Sequence, residues 1–321
     1  MIYTLTLNPT IDRTLTIEHF RVGGTFKAAH SALLPAGKGV NAGRVIVTLG
    51  ESVTALGLVG ANDMAAFAVT LEGAGIENKL LAVPGATRNS VTILDPADGS
   101  ETHLREPGSA PPAGAVQEIE DRLASLSPGD WVLLAGSLPP GVPEDTYRGL
   151  CRQCAARGAY TLLDTNGPAL LAGAGAPPTL LKPNLFELWQ LDQCRPDVQA
   201  EVELDRLPVQ EVLSAARRVR QRGVQMVVVS RGAQGILALD EEGGAWQAAV
   251  DLDRPVVDAV GSGDALAGGL LVGLVRGTSF AEALRLGVAC GAANALLAGA
   301  GRCRREDIDR LFRRARVHPI E

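Results

Sequence analysis

Trp131-Val-Leu-Leu134, Ala135-Gly-Ser-Leu-Pro-Pro-Gly141, the stretch Glu144 to Arg157 and Tyr160-Thr-Leu-Leu163 succeed one another along the chain. The first and last runs are largely apolar, so each reads as a strand buried on both faces. The stretch between them carries a helical pattern behind a Gly/Pro-rich loop. Strand, helix, strand is the repeating unit of a parallel sheet covered by helices. The same rhythm recurs outward, with apolar runs at Val53–Val59 and Met226–Val229 and helical patterns over Ala115–Leu126 and Val209–Arg222. The expected fold class is therefore α/β, a doubly wound sheet with helices on both faces.

Two regions depart from that rhythm. After an opening strand, Ile2 to Leu7, the run Arg13 to Phe20 sets Leu15 and Ile17 on one face and Thr14, Thr16 and Glu18 on the other. Arg88 to Leu94 alternates in the same way, turns at Asp95-Pro-Ala-Asp-Gly99 and resumes at Glu101 to Arg105, a hairpin pattern. Half-solvated strands drawn from two separated parts of the chain predict a small antiparallel sheet, a discontinuous lid built from about residues 12–35 and 87–107. No internal repeat divides the 321 residues, so the expectation is a single domain.

Composition narrows the function classes. Hydrophobic residues make up 46% and charged residues 21%, ordinary for a globular chain. A formal charge of −6 argues against a broad nucleic-acid footprint. The basic segment from Arg302 to Arg316 has Glu306, Asp307 and Asp309 interleaved, so it reads as a solvated helix face. Five cysteines form no secretory framework, and the amino terminus shows no signal-peptide pattern, which together predict reduced thiols in a cytoplasm. Cys151 and Cys154 stand at metal or redox spacing, but no second pair does, and they fall within a helical pattern. Buried thiols are expected. Charges interrupt the most apolar C-terminal stretch, so no membrane span is expected.

The chemistry concentrates near the end of the chain, at Asp258-Ala-Val-Gly261-Ser262-Gly263-Asp264-Ala-Leu-Ala-Gly-Gly-Leu270. A Gly-Ser-Gly turn opening a long apolar helix aims free N–H groups and the helix dipole at one spot, an anion site. Asp264 at its mouth has two readings. It caps the helix, or it accepts the proton of a hydroxyl that attacks a phosphoryl group. The chain has no Walker A motif, no protein-kinase signature and no G-x-G-x-x-G fingerprint. The Gly261–Asp264 turn is then the best candidate for holding a nucleotide phosphate.

A second glycine-rich helix start is Pro35-Ala-Gly37-Lys38-Gly39-Val-Asn41-Ala. With Leu5-Thr-Leu-Asn-Pro9, Thr87-Arg-Asn89, Ala135-Gly-Ser-Leu-Pro-Pro-Gly141, Leu181-Lys-Pro-Asn184-x-x-Glu187 and Gly261-Ser-Gly-Asp264, it stands in one fixed order along the chain. In that order the sequence resembles the PfkB branch of ribokinase-like sugar kinases, nearest the 1-phosphofructokinase and tagatose-6-phosphate kinase subfamily. The resemblance implies a three-layer α/β/α sandwich with a β lid, a lid-to-lid homodimer, ATP and Mg²⁺, and a sugar phosphate as substrate. It implies that Asp264 is the base and that Gly261, Ser262 and Gly263 form the anion hole. It places Asp12, Gly37, Lys38, Asn41, Arg88 and Ser137 at the sugar phosphate. Lys27 and Arg105 are either further phosphate ligands or solvated lid cations. On the nucleotide side it implies Lys182, Asn184, Ser230, Gly232, Gly263 and Asn294 around ATP, with Glu187 reaching Mg²⁺ through water.

Three departures from the family pattern bear on the reading. Ser262 replaces a more usual alanine and keeps the small size. Arg231 interrupts the usual Ser-Leu-Gly and is expected to face solvent. His103-Leu-Arg105-Glu-Pro-Gly108 replaces the usual lid sequence and leaves the sugar open among fructose 1-phosphate, tagatose 6-phosphate and fructose 6-phosphate. A non-catalytic sugar-phosphate sensor on the same fold is the rival class, and Asp264, Glu187 and Lys182 argue against it. A nicotinamide oxidoreductase would need the absent fingerprint.

Overall fold

The computed structural model describes residues 1–176, 178–195 and 204–320. The chain opens with β1 (Ile2–Thr6), then leaves the body for β2 (Thr10–Thr16) and β3 (His30–Ala36). It re-enters through α1 (Lys38–Thr48), β4 (Val53–Gly60), α2 (Met64–Gly73) and β5 (Glu77–Val83), and leaves again for β6 (Asn89–Asp95) and β7 (Ser100–Arg105). The second half runs α3 (Ala115–Arg122), β8 (Trp131–Ala135), α4 (Thr146–Ala156), β9 (Tyr160–Asp164), α5 (Gly167–Ala174), β10 (Leu180–Leu181), α6 (Leu185–Gln193) and α7 (Val209–Arg220). It closes with β11 (Met226–Ser230), β12 (Ile236–Leu239), β13 (Ala245–Ala249), α8 (Ser262–Val275), α9 (Phe280–Asn294), α10 (Arg305–Arg314) and β14 (Arg316–Ile320).

The main sheet has the order β14-β13-β12-β11-β10-β9-β8-β1-β4-β5. From β5 to β11 neighbours run parallel, whereas β11 to β14 are antiparallel. The parallel sheet expected from the apolar runs is thus corrected at one end, where β12 and β13 follow β11 with no α-helix between them, only one 3₁₀ turn at Gly232–Gln234. Alternate side chains of β8 show why the sheet is covered twice. Trp131, Leu133 and Ala135 join the core under α1, α2, α8, α9 and α10, while Val132 and Leu134 join the core under α3 to α7. Those two cores make the three layers.

The lid is a four-stranded sheet in the order β3-β2-β6-β7. It is mixed rather than antiparallel, because β2 and β6 pair in parallel. These two strands come from different hairpins, β2–β3 and β6–β7, and both leave the body in the same direction. The strand expected to run to Phe20 ends at Thr16. There the Asp95 carboxylate accepts the N–H groups of His19 and Phe20, and His19 adopts a positive φ of 56°. The carboxyl edge of the main sheet faces the lid, and β1 is where the strand order reverses, with β4 on one side and β8 on the other. In open α/β sheets that edge, at such a reversal, is where ligands bind.

The C-terminal basic segment forms α10 and runs into β14, and its arginines lie mostly exposed, as expected, in surface ion pairs. Arg314 reaches Asp253 at 2.7 Å and Arg316 reaches Asp251 at 2.6 Å. Cys151 and Cys154 are buried free thiols, as expected. Among the described residues no helix is long and apolar enough to cross a membrane.

Candidate active site

Gly261 has φ 81°, and a Cβ there would lie 2.5 Å from the Ala300 methyl, so the turn into α8 admits only glycine. The Ser262 N–H is taken by the Ala259 carbonyl at 3.2 Å. Those of Gly263 and Asp264 find no backbone acceptor among the described residues, and the positive end of the α8 dipole lies behind them. A Cβ on Gly263 would meet nothing nearer than Lys182 Nζ, at 3.6 Å. Glycine at 263 leaves a cradle that a side chain would fill.

The turn is braced from behind. Asn294, expected beside ATP, is fully buried; its Nδ2 donates to the Val260 carbonyl at 2.8 Å, and its Oδ1 accepts from Gly301 N–H at 2.8 Å. Its amide holds the loop in shape and does not line the cleft. Asp258 helps, accepting from Val260 N–H at 2.8 Å and Gly299 N–H at 2.9 Å.

Asp264 and Lys38 face one another across the cleft floor. Asp264 is 8% exposed, and its Oδ2 accepts from Asn41 Nδ2 at 2.8 Å. Burial pushes its carboxyl up to about 6, against the pull of Lys38 and the Asn41 hydrogen bond. Asp164, which sequence reasoning missed, ends β9 and takes Lys38 Nζ on Oδ1 at 2.7 Å and Lys182 Nζ on Oδ2 at 3.0 Å. Burial opposes the charge on Asp164, but the two lysines outweigh it and hold the carboxyl below its usual range. Burial likewise opposes the charge on Lys38, and Asp164, Asp264 and Glu187 together hold the ammonium above its usual range. One carboxylate therefore fixes two cations, one from the Gly37–Asn41 helix start and one from the loop after β10. Two ammonium groups held side by side are donors that suit phosphate oxygens.

Asn184 caps α6 in a reciprocal box: its side chain accepts from Glu187 N–H and its own N–H donates to Glu187 Oε2, both at 2.8 Å. The spacing that resembles a family motif is thus also a helix start signal. Glu187 is buried, and burial raises its carboxyl above the usual value. Its other oxygen accepts no hydrogen bond among the described residues, so it is available to a metal-bound water, and the residues fit a Mg²⁺ held mainly by water and phosphate. Ser230 ends β11 beside Asn184, and Gly232 opens the exposed turn that follows. Arg231 is buried, not solvent-facing as expected, and pairs with Gln234.

At the lid end, Gly37 caps α1, and Gly39 N–H donates to Thr6 Oγ1 at 3.0 Å. A Cβ on Gly39 would fall 2.5 Å from that oxygen, so glycine allows α1 to sit against β1. Asn8 donates to Ser137 Oγ at 3.2 Å, joining the ends of β1 and β8. Asp12 on β2 is raised to about 6 by burial, and Arg44, Arg88 and Arg105 pull against that rise. Arg88 donates to the carbonyls of Asn8, Pro9 and Glu106, clamping the two lid connections to each other. Arg105 is exposed on β7 opposite Ser90. Lys27 is exposed in the connection from β2 to β3, with no hydrogen bond or ion pair to the other site residues among those described. Arg44, also missed, donates to Asn41 Oδ1 at 2.9 Å.

The profile of the pfkB family of carbohydrate kinases matches residues 5–307. The chain belongs to that family. The pfkB kinases it resembles include 1-phosphofructokinase of Rhodobacter capsulatus, 34% identical over 90% of this chain and 88% of the relative. The ATP-dependent 6-phosphofructokinase isozyme 2 of Mycobacterium tuberculosis is 31% identical, over 100% of this chain and 91% of its own. Among solved structures, phosphofructokinase-2 of Escherichia coli in complex with fructose-6-phosphate superposes with a TM-score of 0.85 at 27% identity, covering 97% of this chain and 98% of that one. The α/β/α architecture with its β lid is accordingly that of the pfkB kinases, and the expected resemblance is borne out over nearly the whole chain. ATP is the co-substrate of this kinase family.

Proposed function

We propose that this carbohydrate kinase transfers the γ-phosphoryl group of ATP to the free hydroxymethyl of fructose 1-phosphate, giving fructose 1,6-bisphosphate and ADP. The observation that carries the reading is a buried carboxylate, Asp264, at the mouth of a helix N-terminus, flanked by two lysines that share Asp164. A second cationic centre, Arg44, Arg88 and Arg105 about Asp12, supports a substrate that already bears a phosphate. A free sugar would leave that positive charge unmatched. Relatives named 1-phosphofructokinase at 34% and 32% identity support fructose 1-phosphate. The M. tuberculosis relative, matched along the entire chain, favours fructose 6-phosphate as the second reading.

In the proposed reaction Asp12, Gly37, Asn41 and Ser137 orient the sugar, while Arg88, Arg105 and Lys27 meet its phosphate as the lid closes. Lys38 joins Arg88 at the phosphate of the sugar, and Lys182 draws in the ATP phosphates, with Asn184, Ser230 and Gly232 beside it. The sugar hydroxyl attacks phosphorus in line, the bond to the ADP oxygen breaks, and Asp264 takes the hydroxyl proton. N–H groups of the Gly261–Ser262–Gly263 turn stabilise the charge on the phosphoryl group in flight. Mg²⁺, held through water by Glu187, would neutralise charge on the β- and γ-phosphates. The chain acts as one kinase domain in the cytoplasm, and two copies meet through their lids, whose edge strands expose Leu33 and Leu104.

ADP release measured with Mg-ATP and fructose 1-phosphate, tagatose 6-phosphate, fructose 6-phosphate or free fructose separates the readings. The highest kcat/KM is expected with fructose 1-phosphate. Preference for free fructose would overturn the phosphate centre, and binding without turnover of any would return the sensor.

A further inference from the structure

Arg44 lies one helical turn beyond Asn41 and touches three elements at once. Its Nη1 donates to Asn41 Oδ1 at 2.9 Å and to the Ala300 carbonyl at 3.2 Å, and its Nη2 donates to the Pro35 carbonyl at 2.7 Å. Pro35 belongs to lid strand β3, and Ala300 belongs to the turn packed on Gly261. Burial, with Arg302 nearby, brings the guanidinium down to about 10, so it stays charged at neutral pH.

An arginine has donors and no acceptor, so only the oxygen of the Asn41 amide can face it. The amide nitrogen must then point the other way, and the group it meets is Asp264 Oδ2 at 2.8 Å. Without a fixed donor behind it, the amide can turn and accept from the protonated Asp264 carboxyl, which favours the neutral form. We propose that Arg44 is a positioning residue: it locks the Asn41 amide so that it donates to Asp264, and through Pro35 it ties that lock to the lid strand. The inference rests on Asp264 as the base.

The readout is the acidic limb of the pH–kcat profile of the full-length enzyme. The charged groups facing Asp264 are Lys38 on α1, Asp164 on β9 and Lys182 after β10, and Arg44→Met leaves them all in place. Arg44→Met is expected to lower kcat roughly 10- to 100-fold and to move the limb up by about half a unit or more, because an unoriented amide no longer favours the anion. Arg44→Lys, still an obligate donor, is expected to keep the limb near its wild-type position. In an Asn41→Ala background, Arg44→Met is expected to add no further shift. Should Arg44→Met fail to fold, Arg44→Gln, which can donate or accept, carries the same readout. An unmoved limb with only a lower Tm overturns the proposal, and so does a shift that persists in Asn41→Ala, since that would run through Asp12. Asp264→Asn is measured alongside. If it retains turnover the base assignment fails, whereas an inactive Asp264→Asn with an unmoved Arg44→Met limb removes the Arg44 role alone.

Discussion

Lys38 Nζ stands 2.7 Å from Asp164 Oδ1, a contact between residues 126 positions apart that joins the helix after the lid to the end of a central strand. Because Lys182 takes the other oxygen, Asp164 sets the spacing of both ammonium groups. Asp164→Asn is expected to take the nearest counter-charge from buried Lys182 and half-buried Lys38, costing about 3–5 kcal/mol of stability and lowering kcat by roughly 10²-fold. Urea unfolding and steady-state kinetics measure the two effects, and unchanged stability would contradict the role. The carboxyl is held below its usual range, so its stabilisation is complete above the unfolded pKa and is lost as pH falls through the folded one.

Asp264 has the opposite sign. Its carboxyl, raised to about 6, makes folding less favourable as pH rises from the unfolded pKa toward that value, since the folded protein must ionise a buried group. Asp264→Asn removes that penalty. The variant is expected to be more stable than wild type at pH 7, by up to about 3 kcal/mol, with the gap closing below about pH 4. Calorimetry across that range checks it; a variant less stable at pH 7 would contradict the sign.

Turnover is expected to fall below about pH 6 as Asp264 gains a proton. Asp12 titrates in the same region. Asp12→Asn should raise the sugar KM by roughly 10-fold or more and leave the acidic limb of kcat in place. Loss of that limb in Asp12→Asn would assign it to the lid instead.

The two glycines of the anion turn differ in what they tolerate. Gly261→Ala puts a Cβ against Ala300 at a positive φ and is expected to cost about 1–3 kcal/mol. Gly263→Ala meets only Lys182 Nζ, at 3.6 Å, so its Tm should hold while the ATP KM rises and kcat falls by roughly 10-fold or more. A Gly263→Ala enzyme with normal kinetics would remove the cradle from the account.

What could be read from the sequence was what is local. The Gly261–Asp264 turn, the Gly37–Asn41 helix start and the hairpin at Asp95–Gly99 announce themselves within a few residues. So do buried strands such as Trp131–Leu134, whose lack of alternation reflects helices on both faces. Asp164 and Arg44 escaped because each is a lone charge in an apolar context, and their partners lie far off in sequence. For Asn294, nothing in a sequence tells whether a helix-borne amide faces the cleft or braces the loop behind it. The parallel pairing of β2 with β6 was hidden for a related reason. Hairpin patterns report pairing within each hairpin and say nothing of how two hairpins meet.

The most direct test is single-turnover phosphorylation of fructose 1-phosphate by Asp264→Asn with saturating Mg-ATP, alongside ATP affinity by calorimetry. The expected result is a roughly 10²- to 10⁴-fold slower transfer with ATP affinity and fold retained. Transfer at near wild-type rate would contradict the assignment of Asp264 as the base, and with it the proposed course of the reaction.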